Sequence, residues 1–260
     1  MNENRNQSSY LGRHAELYDL FYSDKPYSEE ANFVHSCLEK YSLMPIETIL
    51  ELGCGTGTHS LFLEKFGYQI LATDYSDDML LHAMQKAQDA NSSNRYRKQD
   101  MCSLDIPERP FDAIICLFDS ICYATTNENF NRVINGVYTH LRAGGLFIFE
   151  FWNAPAMVSN YNPLRIKRWQ LENSEVMRIS EAQIDYRSQL YQVDYSIYEH
   201  RKNGTYIYLS ETQINRYFSL QEMSLFLTQA GFKPVRWLAG YKEDERITDE
   251  TWNIICIAQS

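Results

Sequence analysis

The stretch Thr48-Ile49-Leu50-Glu51-Leu52-Gly53-Cys54-Gly55-Thr56-Gly57-Thr58-His59, with Ile70-Leu71-Ala72-Thr73-Asp74 further on, sets how the chain is read. A branched apolar run ends in an acid, three glycines alternate with other residues, and a helical pattern follows: a strand, a tight loop and a helix N-terminus. Glycines at such a loop take positive φ and let a ligand lie directly against the backbone. Asp74 ends the second strand, where a carboxylate is placed to accept ribose hydroxyls. The stretch therefore predicts a nucleotide-type small-molecule site. A dinucleotide loop needs Gly or Ala three places after its second glycine, and counting from Gly53 and Gly55 that place holds Thr58. Thr58, and Glu51 ahead of the loop, argue against a dinucleotide oxidoreductase.

Outward from this loop, strand and helix alternate. Strands are expected at 49–52, 68–73, 96–98, 113–117 and 145–151, with helices at 58–66, 77–91 and 127–141, the second opened by Ser76 as N-cap. Strands separated by helices require right-handed crossovers and a parallel sheet. The fold class is α/β: a Rossmann-like, doubly wound, mostly parallel sheet with ligands over the carboxyl ends of its strands. Before the loop, Leu17, Leu20, Phe21, Phe33, Val34 and Leu38 recur at helical spacing, broken at Lys25-Pro26, and predict two N-terminal helices. After Phe151 the period becomes two over 164–171, 175–186, 189–199 and 205–217, and Asn203-Gly204 is a hairpin signal. An antiparallel sheet is thus inserted before a last helix, 219–230, and a closing strand pair, 235–238 and 253–258. The expected domains are a helical cap at 1–47, a core of 48–152 plus 217–260, and an inserted roof at 153–216.

Composition bounds the function. The 260 residues carry a net charge of -10 and a pI near 5.1, which argues against a nucleic-acid partner. Six cysteines, Cys37, Cys54, Cys102, Cys116, Cys122 and Cys256, form no C-x-x-C pair, so neither a zinc site nor a disulfide frame is expected. Met1–Ser9 is polar, and no apolar run reaches membrane-spanning length. We expect a cytoplasmic protein with a small-molecule substrate, no metal, and no nucleic-acid or membrane partner; a homodimer is left open.

Glu51-Leu52-Gly53-Cys54-Gly55-Thr56-Gly57 resembles motif I of the class I S-adenosylmethionine-dependent methyltransferases, and Asp74, Asp100-Met101 and the strand Ile114–Phe118 fall where that family has its later motifs. The resemblance implies S-adenosylmethionine as cofactor, with S-adenosylhomocysteine as product. It implies that Gly53 and Gly55 give room beside the methionyl part, Asp74 holds the ribose, Asp100 with Met101 meets the adenine, and the Leu117 carbonyl faces the ammonium. Tyr18, Glu51, Cys54, Gly57, His59, Tyr75, Met79 and Ser120 complete the expected cofactor set. Over most of the chain, 15–22, Lys25-Pro26-Tyr27, 55–59, 118–123 and Glu150-Phe151-Trp152 resemble the deoxyamino-sugar N,N-dimethyltransferases. That closer resemblance implies methylation of an amine, with Tyr22 and Tyr123 beside the transfer site; a neutral amine must lose its proton to water or to Tyr123, Asp119 or His59, and Trp152 and Arg216 are expected towards the acceptor. Two departures stand out: Gln213 replaces a histidine on the last inserted strand, and Thr251 or Trp252 replaces an arginine near the final strand. Methylation of a small hydroxylated metabolite is the alternative, and a non-catalytic nucleotide-binding scaffold the remote one.

Overall fold

The computed structural model describes residues 10–108 and 110–260; the polar run Met1–Ser9 lies outside the described residues. A seven-stranded sheet forms the centre, from β1 (Thr48–Leu52), β2 (Gln69–Asp74), β3 (Arg95–Lys98), β4 (Phe111–Cys116), β5 (Leu141–Trp152), β10 (Lys233–Ala239) and β11 (Asn253–Gln259), in the order β10-β11-β5-β4-β1-β2-β3. The pairs from β5 to β3 are parallel, while β11 runs antiparallel to both β5 and β10. Parallel strands are covered on both faces, hence their nearly unbroken apolar runs. One face packs Leu50, Ile114, Phe147 and Phe149 against helices α6 (Asn127–His140) and α8 (Leu220–Gln229). The other packs Ile49, Ile115 and Ile148 against α3 (Tyr27–Tyr41) and α4 (Thr58–Glu64), with α5 (Asp77–Asp89) beside them. Ser76 caps α5 by accepting the Met79 amide, and Ser219 with Glu222 forms a capping box on α8.

The strand order reverses between β1 and β4. Loops leaving the carboxyl ends of these neighbours diverge, and the crevice between them is where an open α/β sheet binds ligands.

Two further layers cover that crevice. The N-terminal segment forms three helical pieces rather than the expected two, because α1 (Arg13–Glu16) and α2 (Tyr18–Phe21) turn at Leu17 ahead of α3. The second layer is the antiparallel sheet of β6 (Leu164–Gln170), β7 (Ser174–Asp185), β8 (Leu190–Arg201) and β9 (Tyr206–Arg216), reached through a helix the alternation pattern gave no sign of, α7 (Ala154–Asn160). The insert departs and returns at one point: Asn153 bridges Phe218, and the Phe218 amide donates to the Trp152 carbonyl at 2.9 Å. Its inner face holds Val176, Tyr191, Val193 and Ile197, and Leu17 and Phe21 of the cap pack on Val176 and Ile197. No helix among the described residues is long and apolar enough to cross a membrane.

Candidate active site

The loop after β1 is shaped by left-handed backbone. Gly53, Gly55 and Gly57 have φ of 65°, 56° and 73°. A Cβ on Gly53 would stand 2.7 Å from Ser120 Cβ, and one on Gly57 2.9 Å from the Tyr96 hydroxyl, so side chains are excluded there by space as well as by φ. The Gly55 amide donates to Asp74 Oδ2 at 2.8 Å and the Ser76 amide to Oδ1 at 2.8 Å, which pins the carboxylate across the loop. Burial outweighs these donors and raises the Asp74 pKa. Glu51 is fully inside, takes a hydrogen bond from the Ser60 hydroxyl beneath the loop, and is raised by the same cause.

A cavity of about 30 Å³ lies over the loop, lined by Tyr18, Tyr27, Gly53, Cys54, Thr56, Thr58, His59, Leu117, Phe118 and Ser120. That is room for about one water. A clamp holds the cap there: Lys86 on α5 reaches Asp19 at 2.6 Å and the hydroxyls of Thr56 and Thr58 at 2.8 and 2.9 Å. On the far wall, buried Glu30 joins Lys25 and His59, with His59 Nε2 2.8 Å from Glu30 and Lys25 Nζ 4.1 Å over the Phe118 ring. Burial pushes the Glu30 carboxyl up, but His59 and Lys25 hold it below its ordinary value overall.

Phe118 and Asp119, at the end of β4, have φ of 52° and 57°. Two successive non-glycine residues in this region cost on the order of 1–3 kcal/mol each and persist only where the surroundings impose them. The Phe118 amide donates to Glu150 Oε2 at 2.9 Å, and Asn253 Nδ2 donates to Asp119 Oδ2 at 3.1 Å and also to Glu150. The twist turns the Phe118 ring into the cavity wall, edge-on to Tyr22 at 5.0 Å, and sends Asp119 inward. Burial and the neighbouring Glu150 lift the Asp119 pKa well above the carboxylate range.

Between loop and roof stands a hydroxyl cluster. Tyr123 Oη donates to Tyr10 Oη at 3.2 Å, and the Tyr10 hydroxyl donates to Gln213 Oε1 at 3.2 Å. Gln213 Nε2 donates to Glu211 at 2.7 Å, and Glu211 takes His14 Nδ1 at 2.6 Å and the Tyr10 amide at 2.8 Å. Burial drives the phenols of Tyr10, Tyr18 and Tyr123 far above their ordinary pKa, so they stay neutral donors.

The structure gathers Tyr18, Gly53, Cys54, His59, Leu117 and Ser120 around the cavity, as read from the sequence, with Gly55, Gly57, Met79 and Asp74 behind them. Tyr22 and Tyr123 face the same region through Phe118 and Tyr10. Asp100 caps the 3-10 turn Met101–Ser103, accepting the Cys102 amide, and Tyr75 stands 44% exposed beyond Asp74. Three expected residues are turned elsewhere, and Glu51 stays below the loop. Asp119 is held on Asn253 and the Trp152 indole, away from the cavity lining. Trp152 packs edge-on against Tyr191 at 5.4 Å. Arg216 pairs with Glu222, the N3 residue of α8, and stacks 4.7 Å from Phe218, so it serves the junction of insert and core. Tyr10, His14 and Glu211 escaped the sequence reading, which marked Gln213 only as a departure from the family pattern. The signal was present: Glu211, Gln213 and Asn215 alternate as polar residues on a strand whose partner presents Tyr191, Val193 and Tyr195.

The methyltransferase-domain family matches residues 49–145, the segment holding the glycine loop, Asp74, Asp100 and Phe118. Residues 49–145 are similar to a methyltransferase domain. A dTDP-3-amino-3,4,6-trideoxy-alpha-D-glucopyranose N,N-dimethyltransferase of Streptomyces venezuelae is 32% identical over 145 residues, taking in 55% of this chain and 58% of that one. A putative methyltransferase of Bacillus subtilis is 25% identical over 232 residues, 89% of this chain and 90% of its own length. In fold, an S-adenosylmethionine-dependent methyltransferase of Clostridium acetobutylicum superposes with a TM-score of 0.82 at 22% identity, over 95% of this chain and 97% of that one. The residues present suit S-adenosylmethionine. Asp74 offers about four lone-pair sites. The amides of Gly55, Tyr75 and Ser76 take three of them, leaving acceptor capacity for a ribose hydroxyl.

Proposed function

We propose that the protein transfers a methyl group from S-adenosylmethionine to the amine of a small acceptor, an amino sugar. The single observation that carries this is the cluster of neutral hydroxyls, Tyr10, Tyr123 and the accepting Gln213, roofing the glycine loop beside the Tyr22 and Phe118 rings. The Streptomyces venezuelae relative, by its name, acts on the amine of a deoxyamino sugar, and that supports the same acceptor class here. We place the enzyme in the cytoplasm.

Bound S-adenosylmethionine supplies a sulfonium methyl with a neutral leaving group. The chain's contribution is therefore alignment, and oriented reactants are worth up to about 7–11 kcal/mol. Asp74 and the loop amides orient the nucleoside, while the Tyr18, Tyr22 and Phe118 rings present electron-rich faces to a cationic centre. Sugar hydroxyls find partners in Tyr10, Tyr123 and Gln213. The amine attacks as the neutral base, and Gln213 ties the hydroxyl cluster to Glu211 behind it. Steric exclusion of water falls to the cap and the roof.

The test is release of S-adenosylhomocysteine from a panel of simple amines, free amino sugars, nucleotide-linked amino sugars and their hydroxyl-only counterparts. Turnover confined to the amine-bearing sugars is expected. Turnover of the hydroxyl counterparts at equal rate would overturn the amine assignment in favour of O-methylation.

A further inference from the structure

Three residues that follow the family match hold the strained turn at the end of β4. Glu150, on β5, is 2% exposed, and three donors converge on its carboxyl: the Phe118 amide at 2.9 Å, the Tyr241 hydroxyl at 2.8 Å and Asn253 Nδ2. Asn253, at the start of β11, also reaches Asp119 Oδ2 at 3.1 Å, so one amide group spans both acids. Burial and the neighbouring Glu150 keep Asp119 protonated, which spares the pair two like charges at close range. Glu150, Tyr241 and Asn253 all lie beyond residue 145, where the match to the methyltransferase-domain family ends.

Packing alone does not call for a carboxyl at 150. Ile255, its partner on β11, and Ile148, two places back on β5, are apolar and share its face. The turn does call for one. Phe118 and Asp119 are left-handed without being glycine, a conformation that persists only where neighbours impose it, and Glu150 grips the first of them by its backbone N–H. From there the constraint passes to the site: the Phe118 ring lines the cavity, meets Tyr22 edge-on at 5.0 Å and carries Lys25 Nζ at 4.1 Å. Tyr241 is itself braced, packing edge-on against Phe33 of α3 at 5.8 Å.

We infer that Glu150, oriented by Tyr241 and Asn253, is a positioning residue for methyl transfer: by holding the Phe118 amide it fixes the ring against which Tyr22 is placed. The inference rests on the small-acceptor reading above and deepens it, because it makes the closing strand pair part of the machinery that aligns the acceptor. Glu150 stands outside the cavity lining. Its influence on rate comes through alignment, where a misplacement of about 1 Å can cost about 100-fold. Tyr241 and Asn253 act one step further back, by fixing the carboxyl that grips the turn.

The experiment compares Glu150→Ala, Glu150→Gln and Tyr241→Phe with wild type. It measures kcat and KM for the best amine acceptor, with kcat expressed per S-adenosylhomocysteine-binding site, and hydrogen exchange of the Phe118 amide. Counting binding sites by calorimetry removes molecules that have merely failed to fold. Glu150→Gln keeps an oxygen for the Phe118 amide and should retain kcat within about threefold, whereas Glu150→Ala should lose about tenfold or more, in kcat rather than KM, with faster Phe118 exchange. Tyr241→Phe should lose several-fold. In a Phe118→Leu background Glu150→Ala should cost less than about threefold, since the ring through which it acts is gone. Equal kcat per site in wild type and Glu150→Ala, equal loss in the Ala and Gln variants, or the same loss with and without the Phe118 ring overturns the role. If wild type methylates no amine, the acceptor reading fails by itself, and the exchange measurement, which needs no acceptor, still decides: unchanged Phe118 exchange in Glu150→Ala overturns the grip on the turn. If Glu150→Ala does not fold, Tyr241→Phe decides by the same measurements, and wild-type kcat and exchange in it overturn the inference.

Discussion

At the scale of single residues, what matters is which atoms remain free after the fold has used the rest. Asp74 keeps acceptor capacity although three backbone amides already hold it. Replacing it with Ala should lower S-adenosylhomocysteine affinity by about 10-fold or more, since the charge-assisted hydrogen bond left to a ribose hydroxyl is worth about 1.5–3 kcal/mol. Calorimetry checks this, and unchanged affinity would remove the ribose role. Tyr22 is the opposite case, an aromatic whose ring is fixed by Tyr18 at 4.8 Å and Phe118 at 5.0 Å. Tyr22→Phe keeps that packing. Turnover is expected to drop about tenfold or more with cofactor affinity within twofold if the hydroxyl orients the acceptor, and wild-type turnover would reduce Tyr22 to packing. The glycine loop and Asp74 were legible in the sequence because spacing alone places them at strand ends. The inward turn of Asp119 was not, because it follows from two left-handed residues held by Glu150 and Asn253, which are distant in the chain.

At the scale of elements, the cap is tied to the core through α3. Glu30 in the first turn of α3 bridges Lys25, which precedes that helix, to His59 in the first turn of α4. Its folded-state pKa lies below the unfolded value, so the stability it contributes is present above the unfolded pKa and is lost as pH falls through the folded one. Wild type should therefore lose stability on acidification below about pH 4.5, with a component that Glu30→Gln lacks; at pH 7 the variant should be less stable by about 3–5 kcal/mol, because it leaves Lys25 buried and uncompensated. Thermal melts from pH 3 to 7 read both effects. Parallel melting curves for the two proteins would show that the triad carries no linkage. Most helices and strands could be placed within a few residues from periodicity. The exceptions are short: α1 and α2 lack enough turns to show a 3.6-residue period, and α7 sits where the period is changing.

On the scale of the whole molecule, cap and roof act as one cover. Leu17 and Phe21, both fully buried, lie against Val176 and Ile197, and Arg13 pairs with Glu199 at 2.7 Å. Replacing residues 161–217 by a short linker is sterically allowed, since Asn153 already bridges Phe218. It would strip the apolar cover from Leu17 and Phe21, each worth about 1.5–3 kcal/mol of burial. We expect the core to remain folded, the cap to become protease-sensitive, and S-adenosylhomocysteine affinity to weaken about tenfold. Wild-type cofactor affinity in the deletion protein would mean that the cap stands without the roof.

Local information was enough for the parallel sheet, the glycine loop, the strand-end acid and the period-two insert, because each is written in spacing along one segment. Tertiary structure alone decided which side chains meet. Tyr10, Tyr123 and Gln213 are brought into contact from positions more than 80 residues apart. On the proposed reading the glycine loop is the cofactor's side of the site, and the acceptor's side is set by how the inserted sheet closes on it, because register along a strand fixes which face a residue takes but not what the opposite surface presents.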